Sequence, residues 1–336
     1  MDLFITAARW ITPLGHDIDA VFEAILAGAP APVQELPGPP GHKPRFAATI
    51  PQKLLDSAAQ HPRLRRAGKI SLAAAAAADI PLPENTAVIF TTSNGGVTYT
   101  RRFYDQLLRT GAGSPLLFPE TVYNAPASHI AALHGVTGIT YTLVGDASVG
   151  LTALKLGVDL LLSAQADACI IAGAEEVDWV LCEAYGKWRL ASSSTQVGSN
   201  HGALIAEGAA AILLSRAGQF RLQSITGGVP FFRQSEGSAS LAAALRQLPP
   251  DIRPTRVISS ANGTFVDHAE RAAIEAAFGP LPTLFPKISL GDPFGASALM
   301  QIICATQSLR RDPGGPVLIP VIGLNHQAAA ALVSTP

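Results

Sequence analysis

The chain has 336 residues, 48 % hydrophobic and 15 % charged, with a formal net charge of −1. That length holds one large α/β body or two fused halves, and the near-zero charge offers no basic field to nucleic acid. No uninterrupted apolar run approaches the ~18 residues of a membrane span.

Residues 3–11 read as a β-strand, closed by the turn Thr12-Pro13-Leu14-Gly15. Residues 17–27 have helical apolar spacing through Ile18, Val21, Phe22, Ile25 and Leu26. Residues 30–44 are rich in proline and glycine and read as an irregular loop. The basic cluster Arg63-Leu64-Arg65-Arg66, with Lys69 after it, reads as the solvated start of a helix. Docking of an acidic partner is its functional alternative. Residues 70–79 form an alanine-rich helix. Residues 86–92 are a buried strand, followed by the turn Ser93-Asn94-Gly95-Gly96. That turn lacks the spacing of a dinucleotide-binding glycine fingerprint. Helices at 99–109 and 127–134, a strand at 140–144, a long apolar helix at 148–163 and a continuous buried strand at 168–172 follow.

The second half repeats this grammar. Residues 203–206 and 209–215 read as a strand pair around Glu207-Gly208. Strands are expected at 221–226 and 256–260, and helices at 236–247, 267–277 and 295–310. Residues 317–324 and 328–334 read as a closing β-hairpin. Such alternation without a linker predicts a single body over 1–336. It is built from an N-terminal half (1–175) and a C-terminal half (176–336), layered α/β/α/β/α. Cys169, Cys182 and Cys304 have no metal or disulfide spacing, and Cys169 and Cys304 lie in apolar runs. With Asp2 where a signal peptide would be basic, a cytoplasmic chain without metal is expected.

Three stretches carry chemistry. In the first, an apolar strand from Tyr141 runs into Gly145-Asp146-Ala147-Ser148 and then a helix. A helix N-terminus suits a nucleophile, because its dipole and free N–H groups acidify a thiol and stabilise an oxyanion. Ala147 at the tip cannot attack a thioester. Ser148 shares half of a nucleophile-elbow pattern, but Asp146 stands where that pattern needs glycine. It reads as a first-turn or capping serine. The second stretch is Ser259-Ser260-Ala261-Asn262-Gly263-Thr264, followed by Asp267-x-x-Glu270. Asn262 reads as a loop asparagine with a left-handed backbone; its amide donates a hydrogen bond but shuttles no proton. His268 reads as exposed. The third runs from Lys287 to Gly291-Asp292-Pro293-Phe294-Gly295. Asp292 reads as a helix N-cap ahead of Pro293.

These stretches resemble the catalytic motifs of β-ketoacyl synthases of the thiolase fold: a cysteine turn, H-G-T-G-T with D-x-x-E, and K-x-x-x-G-H-x-x-G-A. Flanking matches keep family order from residue 3 to 334. They include Thr12-Pro13-Leu14-Gly15, Leu26-Ala27-Gly28, Asn124-Ala125-Pro126-Ala127, Ala172-Gly173-Ala174-Glu175, Glu207-Gly208-Ala209-Ala210 and Gly323-Leu324-Asn325-His326-Gln327-Ala328. The resemblance places Ala147 in the cysteine slot and Asn262 and Asp292 in the two histidine slots. It retains Lys287, Gly291, Glu270 and Asn325 as frame. A carboxylate at 292 would repel a malonyl group and an enolate.

Three losses on one scaffold imply a subunit without condensing chemistry and without a cofactor. It is similar to chain-length factors, the inactive subunits that pair with an active ketosynthase in type II polyketide systems. The compact body most resembles the ketosynthase-like proteins of aryl polyene clusters. The implied partners are an active ketosynthase and an acyl carrier protein. The implied interface is the 140–144 strand, with Thr140, Thr142 and Val144, while Phe118, Tyr123 and Asn124 reach toward the partner's acyl tunnel. Two alternatives stay open: an acyltransferase or hydrolase using Ser148, and a homodimeric acyl-carrier binding protein.

Overall fold

The computed structural model describes residues 3–192, 202–324 and 326–336. The first half starts with β1 (Phe4–Ile11), α1 (Ile18–Leu26), β2 (Val33–Leu36), β3 (Arg45–Ala48), α2 (Asp56–Gln60) and α3 (Lys69–Ala77). It continues with β4 (Thr86–Thr92), α4 (Val97–Thr110), α5 (Ala125–His134), β5 (Thr140–Val144), α6 (Val149–Leu162), β6 (Ala168–Glu175), α7 (Trp179–Lys187) and β7 (Gly208–Ser215). The second half holds β8 (Phe220–Ile225), β9 (Val229–Pro230), α8 (Gly237–Leu245), β10 (Arg256–Ile258) and α9 (Phe265–Phe278). It closes with β11 (Thr283–Leu284), α10 (Pro286–Leu290), α11 (Ser297–Arg311), β12 (Val317–Ile322) and β13 (Gln327–Ser334).

Strand order makes the repeat visible. The first half pairs as β5-β4-β6-β7-β1 and the second as β11-β10-β12-β13-β8. In each half two parallel pairings at the outer edge give way to two antiparallel ones. The halves join where β1 meets β8, at Phe4↔Arg221 and Ile5↔Phe220. By strand order the first repeat closes with β7, at Ser215, beyond the boundary at 175 expected from sequence.

Side-chain alternation along the strands sets the layers. Ile89 of β4, Ile171 of β6 and Ile212 of β7 pack on α6 and α11; Ile319 of β12 and Ala331 of β13 enter the same core from the other side. The opposite faces turn outward. Val88, Phe90 and Ile170 meet α3 and α5, while Leu318, Ala330 and Leu332 meet α8 and α9. Helices α6 and α11 are therefore the central layer of an α/β/α/β/α stack. Every residue of β4, β6 and β12 is buried, as a sheet covered on both faces requires.

Some expectations fail locally. The loop at 30–44 contains β2, which pairs with β3 from Val33↔Ala48 to Leu36↔Arg45. This strand is half exposed, so no apolar run betrays it among the prolines. Residues 203–206 do not pair with β7, whose two edges are taken by β1 and β6. They make single bridges instead: Ala203↔Ala191, Ile205↔Asp292 and Ala206↔Ala48. Lys69 is not a solvated helix start; its ammonium lies 2.5 Å from the buried carboxylate of Glu207. Among the described residues no helix is long and apolar enough to cross a membrane. The three cysteines are buried.

Candidate functional site

The turn at 145–148 lies between β5 and α6. Its partner turn, at 291–296, lies between α10 and α11. The two meet because α6 and α11 approach closely: a Cβ on Gly150 would lie 2.9 Å from the Ala298 Cβ. Only glycine allows that spacing. Ala147 is 4 % exposed and joins the central core.

Lys287, Asp292 and Asn262 form a closed network beside this junction. Lys287 Nζ donates to Asp292 Oδ2 at 3.0 Å, and Asn262 Nδ2 donates to the same oxygen at 2.8 Å. Asp292 Oδ1 accepts the Phe294 N–H at 3.1 Å, in the manner of a cap. Thr264 Oγ1 donates to Asn262 Oδ1 at 2.6 Å. Lys287 and Asp292 are 4 % and 1 % exposed. The ammonium neutralises the carboxylate in place, so Asp292 does not present the bare repulsive charge expected from sequence. A buried pair with these extra hydrogen bonds is the arrangement that repays desolvation. Gly263 takes the left-handed backbone, at φ +88°, and not Asn262 as expected; Asn262 is instead held by its amide and by Asp267, which accepts its N–H at 2.8 Å. Gly291 ends α10 at φ +72°. Glu270 accepts the Ser260 N–H at 2.8 Å and both the Ser259 and Ser260 hydroxyls. Burial pushes its pKa up against those bonds. His268 is exposed on α9. Asn325 lies outside the described residues.

A cleft of about 620 Å³ opens over this network, between the 259–264 loop, α9 and α10. Asn262, Lys287 and Asp292 line it, with Phe285 and Ile288 among its apolar walls; Ala147 and Ser148 do not line it.

Ser148 is 0 % exposed. Its Oγ lies 2.7 Å from Asp146 Oδ1 and 2.6 Å from Gln327 Oε1, so the hydroxyl is held on two sides. Sequence reasoning passed over Asp146. Its Oδ1 also accepts the Ser148 N–H at 2.9 Å, and its main-chain carbonyl accepts the Val149 N–H at 3.0 Å. Burial raises its pKa, while the Ser148 bonds, the Gln327 backbone and the Lys287 charge pull it back. Tyr185, also unforeseen, stacks on Phe294 with ring centres 4.8 Å apart. Its phenol is pushed up by burial and by Glu175, Asp292 and Asp146. Glu175 accepts N–H groups from Ser93, Asn94 and Gly295, and burial still lifts it to about 7. The detectable signal for Asp146 was a lone carboxylate in an otherwise apolar strand–turn–helix. Among the described residues no group of His, Cys, Asp or Glu is placed to hold a metal.

The expected interface residues lie on another face. Strand β5 is the outer strand of its half and pairs with β4. Thr140 and Asn124 are exposed. Val144 is 53 %, Phe118 54 % and Tyr123 47 % exposed. Thr142 is half-buried, and its Oγ1 has no partner. Beside them, none of the 14 residues of α4 is buried, and its Phe103 packs on Phe118.

With this architecture and site in view, residues 2–219 match the β-ketoacyl synthase N-terminal domain, and the chain belongs to that family. The layered body is the thiolase-like ketosynthase fold. It is similar to the ishigamide ketosynthase/chain length factor, at 18 % identity and a TM-score of 0.82, covering 100 % of this chain and 99 % of that one. It is also similar to the ketosynthase ApeO in complex with its chain length factor ApeC from Xenorhabdus doucetiae (17 %, 0.80, 100 % and 98 %). A third similar structure is AntDE:AntF, a type II polyketide synthase acyl-carrier protein with its ketosynthase bound to the hexaketide (13 %, 0.78, 100 % and 99 %). No curated protein matches the sequence.

Proposed function

We propose that this chain is a non-catalytic chain-length-factor subunit. It pairs with an active ketosynthase and shapes the tunnel in which that partner elongates an acyl chain. The observation that carries the reading is Ala147, a buried alanine in the turn before α6 that the motif resemblance aligns with the family's nucleophile. Without a nucleophile there is no acyl-enzyme. Beside it, Asp292 accepts from both Asn262 and Lys287, leaving no imidazole to polarise a thioester. Chain-length factors named among the similar structures favour the same class. The aryl polyene system is our choice of pathway class, on the compact body and the 260–264 sequence.

Pairing would use β5, whose free edge can add a partner strand. The exposed apolar side chains of α4 and of 116–124 form the patch around it. Phe118, Tyr123 and Asn124 would face the partner's tunnel, where side-chain bulk acts as a steric ruler. The growing chain would arrive on an acyl carrier protein.

The test is co-expression with the active ketosynthase of the same system. The reading expects a stable complex and product only from the pair. It is wrong if this chain forms a homodimer that ignores the ketosynthase while the ketosynthase elongates normally alone. The serine alternative has no observation in its favour: Ser148 is enclosed between Asp146 and Gln327.

A further inference from the structure

A helix N-terminus ordinarily offers free N–H groups and a positive dipole end. At α6 that end is occupied from within the chain. Asp146 supplies an acceptor to the Ser148 N–H through its carboxylate and to the Val149 N–H through its carbonyl. The carboxylate is 5 % exposed for the residue as a whole, and its Oδ2 has no hydrogen-bond partner. That oxygen is pressed against Gly323, in the loop leading to Gln327; any Cβ at 323 would overlap it. Gln327 then touches Ser148 at 2.6 Å, which ties the same loop to the same helix end. The Asp146 carboxylate sets negative charge against the roughly half positive charge of a helix N-terminus, although burial raises its pKa.

We propose that Asp146 is an internal anion that fills the anion-binding end of α6 and, packed on Gly323, closes the turn to any oxyanion. The centre is thus silenced twice, by Ala147 and by the residue before it. A cysteine restored at 147 would gain no acidity from the helix, because Asp146 has taken that field. Lys287 on α10 and Tyr185 on α7 are the charged or titratable groups that interact with Asp146, and Asp292 and Glu175 act on Tyr185 in turn. Lys287 is bonded to Asp292 and acts on Asp146 only through its field, so among the described residues Asp146 has no ion-pair partner. This inference rests on the non-catalytic reading only in taking residue 147 as inert.

The experiment compares the full chain carrying Ala147→Cys with the double variant Ala147→Cys/Asp146→Asn. Iodoacetamide alkylation is followed against pH, and thiolate absorbance serves as a second readout insensitive to access. The single variant should titrate at or above the ordinary thiol value of ~8.5. The double variant should titrate at least one unit lower, which makes it about tenfold more reactive at pH 7. An acidic thiol in the single variant, or no shift between the two, overturns the role of Asp146 and leaves the non-catalytic reading standing. Acyl uptake by the wild-type chain would instead remove that reading. The wild-type chain, with alanine at 147, subtracts the signal of Cys169, Cys182 and Cys304, and circular dichroism checks that each variant is folded. Gly323→Ala should lower the melting temperature in the native background and lower it less when combined with Asp146→Gly. Equal losses in both backgrounds contradict the packing of Asp146 on Gly323.

Discussion

Around Asp292 the polar side chains find their partners inside the protein: Asp292 and Lys287 are almost wholly buried and Asn262 half-buried at the floor of the cleft. Along β5 and α4 the reverse holds: Val144, Phe118 and Tyr123 are about half exposed, and none of the 14 residues of α4 is fully buried. One region has been closed and the other left unfinished. Chemistry needs polar groups with unused valence aimed at a substrate, whereas association needs apolar surface with unused contact. By that criterion the unspent capacity of this chain lies at its edge, not at its centre.

The sharpest way to break the contrast is to open the closed region. Lys287→Met leaves Asp292 buried and uncompensated, which should cost about 3–5 kcal/mol in urea unfolding. Replacing both residues with apolar ones should recover most of that loss. A single variant as stable as wild type would mean that the network does not hold the centre shut. Next is the edge. Phe118→Asp and Val144→Lys should leave the melting temperature of the isolated chain unchanged and weaken association with the ketosynthase by about 2 kcal/mol or more at an aromatic anchor. If gel filtration still finds the complex intact, the interface lies elsewhere.

Buried carboxylates give a pH signature of the closed region. Glu175 and Glu176 are both raised to about 7, chiefly by burial. The folded state therefore holds two protons that the unfolded chain releases near its ordinary 4.5. Stability from these groups is full below that value and declines as pH rises to about 7. Glu120 is lowered despite its burial, by His129 and the Gly68 N–H, and works in the opposite sense only below 4.5. With both groups counted, unfolding at pH 5 and pH 8 should differ by roughly 5 kcal/mol in favour of pH 5, and Glu175→Gln should halve the difference. A higher stability at pH 8 would contradict the assignment. The smallest effect is expected for Ser148→Ala, about 1 kcal/mol from one lost buried hydrogen bond. It should leave any activity of the subunit pair untouched.

Much of this was legible in the sequence because it rests on periodicity. Strands such as Thr86–Thr92 and Thr140–Val144 appear where the apolar runs place them, and the helix at 149–162 differs from expectation by one residue at each end. The positions that the resemblance aligns with catalytic residues, Ala147, Asn262 and Asp292, were singled out because glycines and prolines around them fix the motif register. What escaped has a common cause: it depends on contacts distant in sequence. Strand Val33–Leu36 exists through its pairing with Arg45–Ala48. Asn262 was read from its glycine neighbour, but its conformation answers to Asp292, thirty residues away. Asp146 looked like a mismatch in a serine motif, and its role emerges only with Gly323 and Gln327 beside it.

The central claim is that acyl chemistry belongs to a partner and not to this chain. Intact-mass spectrometry of the co-purified pair, after incubation with an acyl-carrier thioester, tests it directly. The account predicts an acyl adduct on the ketosynthase and an unchanged mass for this chain. An adduct on this chain, lost in Ser148→Ala, would contradict it.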